Sequence, residues 1–386
     1  MRRPHLIPLA ATAALIGLAN FAWPAIASAT PSGSTATTCP TTPVSALMPA
    51  GPGAGAPAVP PQIIIAKTVK PSDVRTSVVI APNPKDQIRC GKTALKTDPD
   101  IVFSTPVLGN GTAKPLSLDI QRPAAAGRKP LVIFITGGGF MIAPKENNLD
   151  LRTFVAESGF VVASVQYRTI LDGAGYKDSL ADVKSAIRFL RAHAETYGID
   201  PDHVAVWGQS AGGYLAAMAG VTSGVKGFDI GENLNQSSKV EAVVDEFGSS
   251  DMTKVAADFD VGAQKAYDAL DNPMVRFFDG PAGGTGLLES PTASGAANPL
   301  TYVSGSTPPF LLFHGDADKI ISPSQTLMLH EQLRAAGVKS TRYVLKGAGH
   351  GDLSFVGDAK AGLPWSTNQV MGLITGFLHR TLSARN

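Results

Sequence analysis

Several scarcities in the sequence each remove a class of function. Charge of neither sign dominates: 33 Lys and Arg stand against 31 Asp and Glu. No basic run is present, so there is no electrostatic case for nucleic acid or for an acidic membrane surface. Cysteine occurs only at positions 39 and 90, and no His/Cys cluster has metal-ligand spacing. No glycine loop leads into Lys-Ser or Lys-Thr, so no phosphate cradle is marked. Beyond residue 29 no stretch is long and apolar enough to span a bilayer. No internal repeat is visible. Neither a metal nor an organic cofactor is expected.

What is present begins with a leader pattern. Arg2 and Arg3 precede an apolar stretch from Leu6 to Ala27, which ends in Ala27-Ser28-Ala29. A positive start, an apolar middle and a small-x-small ending predict a signal peptide over residues 1–29, cleaved after Ala29. Its loss removes two arginines and no acids, leaving a formally neutral, exported chain. In that setting Cys39 and Cys90 are expected to form a disulfide, worth about 4 kcal/mol by the chain-entropy estimate. Residues 30–62 are rich in Pro, Gly, Ser and Thr and read as a linker. With the short β-like pieces at Ile63–Ile65 and Ser77–Ile80, residues 30–100 form an N-terminal extension.

From residue 101 the pattern becomes regular. Ile101–Phe103 and Leu116–Ile120 read as a two-strand meander, and Leu131–Ile135 as a continuous apolar run typical of a central parallel strand. Helices are predicted over Leu149–Ser158, Asp178–Tyr197, Ser322–Ala336 and Thr367–Leu382. Strands are predicted at Phe160–Val165, Val204–Trp207, Val240–Val244, Phe310–Phe313 and Thr341–Leu345. Alternating strands and helices imply an α/β fold: a mostly parallel, doubly wound sheet with helices on both faces, over residues 101–386. Residues 245–305 read as irregular, a small lid or insertion over the rim.

The chemistry concentrates at Gly208-Gln209-Ser210-Ala211-Gly212. This fits Gly-x-Ser-x-Gly, a sharp strand-to-helix turn that lifts a serine clear of the chain. Side chains two before and two after the serine would collide, so glycine is required at both places. A serine needs a base, and the base needs a carboxylate. Asp318 follows the Phe310–Phe313 strand in His314-Gly-Asp-Ala-Asp318, and His350 follows the Thr341–Leu345 strand in Gly347-Ala-Gly-His350-Gly351. Strand ends share one rim in such a sheet, so all three residues are expected to meet there. Asp316 competes for the carboxylate role and is read as a turn former; His314 is read as a brace for that loop. A fourth piece, Gly137-Gly138-Gly139-Phe140, follows the central strand. Its N–H groups, with that of Ala211, are suited to hold an oxyanion.

Together with Tyr167-Arg168, Gly198-Ile-Asp-Pro201 and Trp207-Gly-Gln-Ser-Ala-Gly-Gly213, these pieces make the chain resemble the α/β-hydrolase superfamily. The similar branch is that of hormone-sensitive-lipase-like and feruloyl-esterase-like (BD-FAE type) carboxylesterases, over about residues 101–382. The resemblance implies Ser210 as nucleophile, His350 as base, Asp318 as its partner, and Gly138, Gly139 and Ala211 as the oxyanion hole. It implies hydrolysis of a small-molecule or polymer-attached carboxylic ester through an acyl-enzyme. One departure is Thr136, where relatives usually carry histidine before the glycines. Phe140, Phe247 and Trp365 are candidates to line the substrate pocket. Two rival readings share the residues: a serine peptidase of the prolyl-oligopeptidase kind, and an inactive binding protein on the same fold. The peptidase normally carries a large N-terminal propeller, for which residues 30–100 are too few.

Overall fold

The computed structural model describes residues 36–42, 63–280, 284–351, 358 and 360–383. The leader, its cleavage site and most of the linker over residues 30–62 lie outside the described residues.

The strands in chain order are β1 (Thr37–Thr38), β2 (Val78–Ile80), β3 (Arg89–Cys90), β4 (Leu95–Ser104), β5 (Leu116–Pro123), β6 (Lys129–Ile135), β7 (Val161–Val165), β8 (Ile199–Gln209), β9 (Ala242–Glu246), β10 (Phe310–Gly315) and β11 (Ser340–Leu345). Nine of them form one sheet in the order β2-β11-β10-β9-β8-β6-β7-β5-β4. Pairing is parallel from β2 to β7, and antiparallel for β7 with β5 and for β5 with β4. The predicted meander is therefore β4–β5, at one edge. The central stretches of β6 to β10 are buried on both faces, which is why they carry apolar runs such as Leu131–Ile135 in β6 and Phe310–Phe313 in β10.

Helices close both faces. α1 (Leu149–Glu157) and α9 (Asn368–Leu382) pack with Phe134, Trp207, Val244 and Phe313 on one side. α2 (Tyr176–Ala192), α4 (Ala211–Val221) and α8 (Ser324–Ala335) pack with Ile133, Val206, Val243 and Leu312 on the other. α2 begins two residues before the predicted start, because Asp178 accepts from the Gly175 N–H at 3.0 Å and caps the helix. It also stops early. The His193 ring bonds the Phe189 carbonyl at 2.8 Å, and a separate single turn, α3 (Ala194–Tyr197), follows. No helix among the described residues is long and apolar enough to cross a membrane.

Three stretches differ from expectation. Ile63–Ile65 is not a strand. β4 starts at Leu95, running through Pro99; an edge strand tolerates that proline, and Asp100 takes a left-handed φ of 56° at the bulge. The stretch after β9 is not irregular. It contains α5 (Val261–Tyr267), α6 (Pro273–Asp279), α7 (Pro291–Ser294) and short 3₁₀ turns, with Asp260, Asn272 and Ser290 as side-chain caps. Its Phe259, Tyr267, Phe277, Phe278 and Leu287 are buried in the same core layer as α2 and α4.

The N-terminal extension is a strap. β2 adds a ninth strand beside β11, and the chain then reaches β4 at the opposite edge by Leu95. Eight strand spacings span about 38 Å. The intervening residues, nearly extended, reach about 50 Å, enough to cross directly. The crossing is pinned on the α9 and α1 side: the Ile88 N–H donates to Ser366, Asn368 donates to Asp86, and Gly91 and Lys92 donate to the Glu157 carboxylate. The expected Cys39–Cys90 bridge is present, closing a separation of 51 residues, beside the small β1–β3 ladder.

Candidate active site

β8 ends at Gln209 and α4 begins at Ala211, so Ser210 sits at the junction with φ 54° and ψ −120°. A left-handed φ on a residue with a Cβ costs about 1–3 kcal/mol and must be held by its surroundings. The glycines show how tight they are. A Cβ on Gly208 would stand 2.0 Å from the Gly212 carbonyl oxygen. A Cβ on Gly212 would stand 1.9 Å from the Ile135 carbonyl oxygen, so this glycine is dictated by the end of β6 as well as by the turn. The Ser210 N–H donates to the Glu246 carbonyl at 3.0 Å, tying the elbow to β9.

The structure brings the three candidate residues into one hydrogen-bonded chain. Ser210 Oγ lies 2.8 Å from His350 Nε2, and His350 Nδ1 lies 2.7 Å from Asp318 Oδ2. Ser210 ends β8, Asp318 follows β10 and His350 follows β11, all at the carboxyl rim of the sheet. Asp318 is fully buried, and His350 is 8% exposed. Burial alone would raise the Asp318 pKa. Attraction to His350 and hydrogen bonds from both His314 and His350 outweigh it and hold the carboxyl well below the usual carboxylate range. Its Oδ1 also accepts from the N–H groups of Ile320 (2.8 Å) and Ile321 (3.0 Å). Asp316 accepts from the Gly347 N–H at 2.6 Å, joining the two rim loops.

His314 does more than brace a loop. Its Nε2 lies 3.2 Å from Asp318 Oδ2 and 3.1 Å from the Ile321 carbonyl, both acceptors, so Nε2 carries the hydrogen. Its Nδ1 then accepts from Thr326 Oγ, which in turn accepts from Arg342 Nε, each at 3.0 Å. Burial lowers the His314 pKa, consistent with a neutral ring. Arg342 is fully buried and also donates to Ser77 Oγ at 2.8 Å, linking the N-terminal strap to the chain of bonds behind Asp318.

The glycine loop after β6 lies against the serine. A Cβ on Gly137 would be 3.2 Å from the Ser210 Cβ. Gly138, Gly139 and Phe140 have φ of 151°, 60° and 62°, and a Cβ on Gly138 would stand 2.1 Å from the Ile142 carbonyl oxygen. Among the described residues, no acceptor receives the N–H of Gly138, Gly139 or Ala211. These donors are open, and Ala211 begins α4, whose dipole favours negative charge at that point. Thr136 is held from both sides: Asn147 donates to its Oγ at 3.1 Å, and Tyr167 Oη donates to its carbonyl at 3.0 Å.

The three pocket candidates are all buried, at 2–3% exposure. Phe247, with φ 47°, lays its ring edge-on to His350 at 4.8 Å and against Trp365 at 4.5 Å. Phe140 stacks on Phe277 at 4.4 Å, within the aromatic cluster that also includes Tyr214 and Phe278. The insertion is bonded to the acid loop: Tyr267 Oη donates to the Ile320 carbonyl, and Ser322 Oγ donates to Asp258.

Glu246, Thr326 and Arg342 were not singled out from the sequence. For Glu246 a signal existed, since Asp245 and Glu246 close the otherwise apolar run Ala242–Val244, and acids in a central strand are costly unless they serve something.

The sheet order, the strained serine at a strand-to-helix turn and its histidine and aspartate partners define an α/β-hydrolase fold. Within that class the chain belongs to the BD-FAE family, whose model matches residues 118–333. It is 28% identical over 262 residues to a probable isoprenylcysteine alpha-carbonyl methylesterase of Arabidopsis thaliana, covering 67% of this chain and 53% of that protein. It is 29% identical over 268 residues to the esterase LipC of Mycobacterium tuberculosis (strain ATCC 25618 / H37Rv), covering 68% and 62%. The chain thus spans about half to three fifths of the length of these curated relatives. Among solved structures it is similar to a truncated carbohydrate esterase from gut microbiota, with TM-score 0.60, 25% identity, and coverage of 79% of this chain and 100% of that one.

Proposed function

We propose that the protein is an exported serine hydrolase that cleaves carboxylic esters through an acyl-enzyme. The observation that carries this reading is the chain Ser210–His350–Asp318, at 2.8 and 2.7 Å, beside N–H donors with no described acceptor. Ser210 Oγ attacks the ester carbonyl as its proton passes to His350 Nε2. Asp318, kept ionised, holds the Nδ1 hydrogen and stabilises the imidazolium. The N–H groups of Gly138, Gly139 and Ala211 receive the oxyanion, and one such donor is worth about 3–4 kcal/mol. His350 then gives its proton to the departing alcohol. Water, activated by the same imidazole, releases the acid. The related esterases support the substrate class, a small or polymer-attached ester. Export rests on the leader pattern over residues 1–29, and the Cys39–Cys90 bridge suits an oxidising compartment.

The test is a panel of p-nitrophenyl esters of increasing acyl length, aromatic acyl esters and matched anilides, with Ser210→Ala as control. Ester turnover that vanishes in the variant is the expected outcome. Preference for the anilides would favour the peptidase reading, and no turnover of any member would favour the inactive binder. N-terminal sequencing of protein recovered from the medium should begin at Thr30; a chain still starting at Met1 would refute processing.

A further inference from the structure

β9 ends in two consecutive buried acids whose side chains serve opposite faces of the sheet. Asp245 Oδ1 accepts from the Gly248 N–H at 2.9 Å and closes on Gly213 of α4; a Cβ there would be 2.4 Å away. Glu246 Oε2 accepts from Trp207 Nε1 at 2.6 Å and from Gln209 Nε2 at 2.9 Å. Its carbonyl accepts from the Ser210 N–H at 3.0 Å. One residue therefore bonds positions 207, 209 and 210 of the strained elbow. Its second oxygen, Oε1, is buried and has no partner among the described residues, as is Asp245 Oδ2.

Among the described residues no cation compensates this carboxyl. Phe313 stands opposite it on β10, and Trp207 and Gln209 face it from β8. α9, which covers this face, carries its only titratable groups, His379 and Arg380, in its last turn. The neighbouring titratable groups are Asp245, directed to the other face, and His350, in ring contact with Phe247. A buried charge without a counter-ion is expensive, and here it would lie beneath the place where the reaction itself develops an oxyanion.

We propose that Glu246 positions the nucleophile elbow, holding Trp207 and Gln209 with its carboxyl and Ser210 with its carbonyl, and that turnover is supported only while the carboxyl is uncharged, because its charge would oppose the developing oxyanion. The proposal rests on the reading of Ser210 as nucleophile. Burial pushes Glu246 up to about 7, with the two N–H donors only partly offsetting it. The group therefore changes charge near neutrality, and its ionisation lowers turnover.

Three variants test this by kcat and KM for a p-nitrophenyl ester from pH 5 to 9. Glu246→Gln keeps the acceptor and cannot ionise. Its kcat should stay near wild type at pH 5.5, and the ratio of variant to wild type should climb about threefold to tenfold by pH 8.5, since like charges repel strongly in a dry site. Taking the ratio cancels ionisations common to both proteins. Trp207→Phe removes one donor to the charged form, so the alkaline fall should move to higher pH. Glu246→Ala leaves both N–H donors unpaired and should lower kcat about tenfold or more with little change in KM, with Gln restoring it. If Glu246→Ala does not fold, the other two variants still decide. A flat ratio for Glu246→Gln and an unmoved profile for Trp207→Phe overturn the proposal. If Ser210→Ala is inactive but the Glu246 variants behave as wild type, only this inference falls; an active Ser210→Ala would remove the nucleophile reading itself.

Discussion

β9 and β10 lie side by side, and fully buried carboxyls stand at the end of each, yet their acidities are pushed in opposite directions. Asp318, after β10, is held well below the usual carboxylate range. Asp245 and Glu246, ending β9, are each pushed up to about 7. All three are 0% exposed, so burial does not separate them. Their donors do. Asp318 accepts from Ile320 and Ile321 on one oxygen and from two imidazoles on the other. Glu246 has two donors on a single oxygen, and Asp245 has one. A charge where the chemistry needs it is built from hydrogen bonds and a partner able to become cationic, not from seclusion. Without those, the same seclusion pushes the carboxyl toward its uncharged form.

The sharpest way to break this contrast is to remove the proposed nucleophile after β8 and the proposed base after β11. Ser210→Ala and His350→Ala should each reduce kcat on the order of 10⁴-fold or more, and the double variant should be little worse. Additive losses would show that the two residues do not act as a unit. Next, Asp318→Asn presents an amide to the imidazole and favours the wrong tautomer, so kcat should fall about 10⁴-fold, as in serine proteases. Asp316→Asn should cost only a modest factor, because Asp316 bonds the Gly347 N–H and no imidazole. A dead Asp316→Asn beside an active Asp318→Asn would reverse the assignment. Both should first be shown folded by circular dichroism.

Away from both strand ends, the disulfide is a control. Cys39→Ser should lose about 4 kcal/mol of stability by the loop-entropy estimate, yet leave kcat of the folded enzyme unchanged. A large fall in kcat would mean that the strap reaches the site through more than stability.

A last effect is the pH dependence of stability, where the two strands should act with opposite sign. Asp245 and Glu246 are pushed up to about 7 in the folded protein, from ordinary carboxyl values of 3.8 and 4.5. Their contribution is fully present below those ordinary values and is lost as pH rises through about 7. Asp318 is depressed, so its contribution is present above the ordinary value of 3.8 and is lost as pH falls toward the folded value. Urea denaturation from pH 3 to 8 should show a fall on each side of an optimum near pH 4 to 5. Glu246→Gln should flatten the upper limb and Asp318→Asn the lower. If Glu246→Gln left the upper limb unchanged, the neutral-acid description of β9 would be wrong.

The sequence by itself determined the α/β alternation, because apolar runs and helical spacing are short-range and survive any packing. It also singled out Ser210, Asp318 and His350, since a glycine-flanked serine and two loops just past strands leave few other sites for such residue types. It determined both elbow glycines, although the structure adds that Gly212 is fixed by the Ile135 carbonyl, a group far away in the chain. Only the tertiary structure decided that β2 would become a ninth strand, and that the helical stretch after β9 would bond to the acid loop. Only the tertiary structure, too, decided that His314 would reach Asp318 and that Glu246 would hold the elbow. Those outcomes depend on hydrogen bonds and desolvation between groups that local pattern does not relate. A buried polar side chain shows its identity in the sequence, but its partner, and therefore its charge, exists only once the sheet has assembled around it.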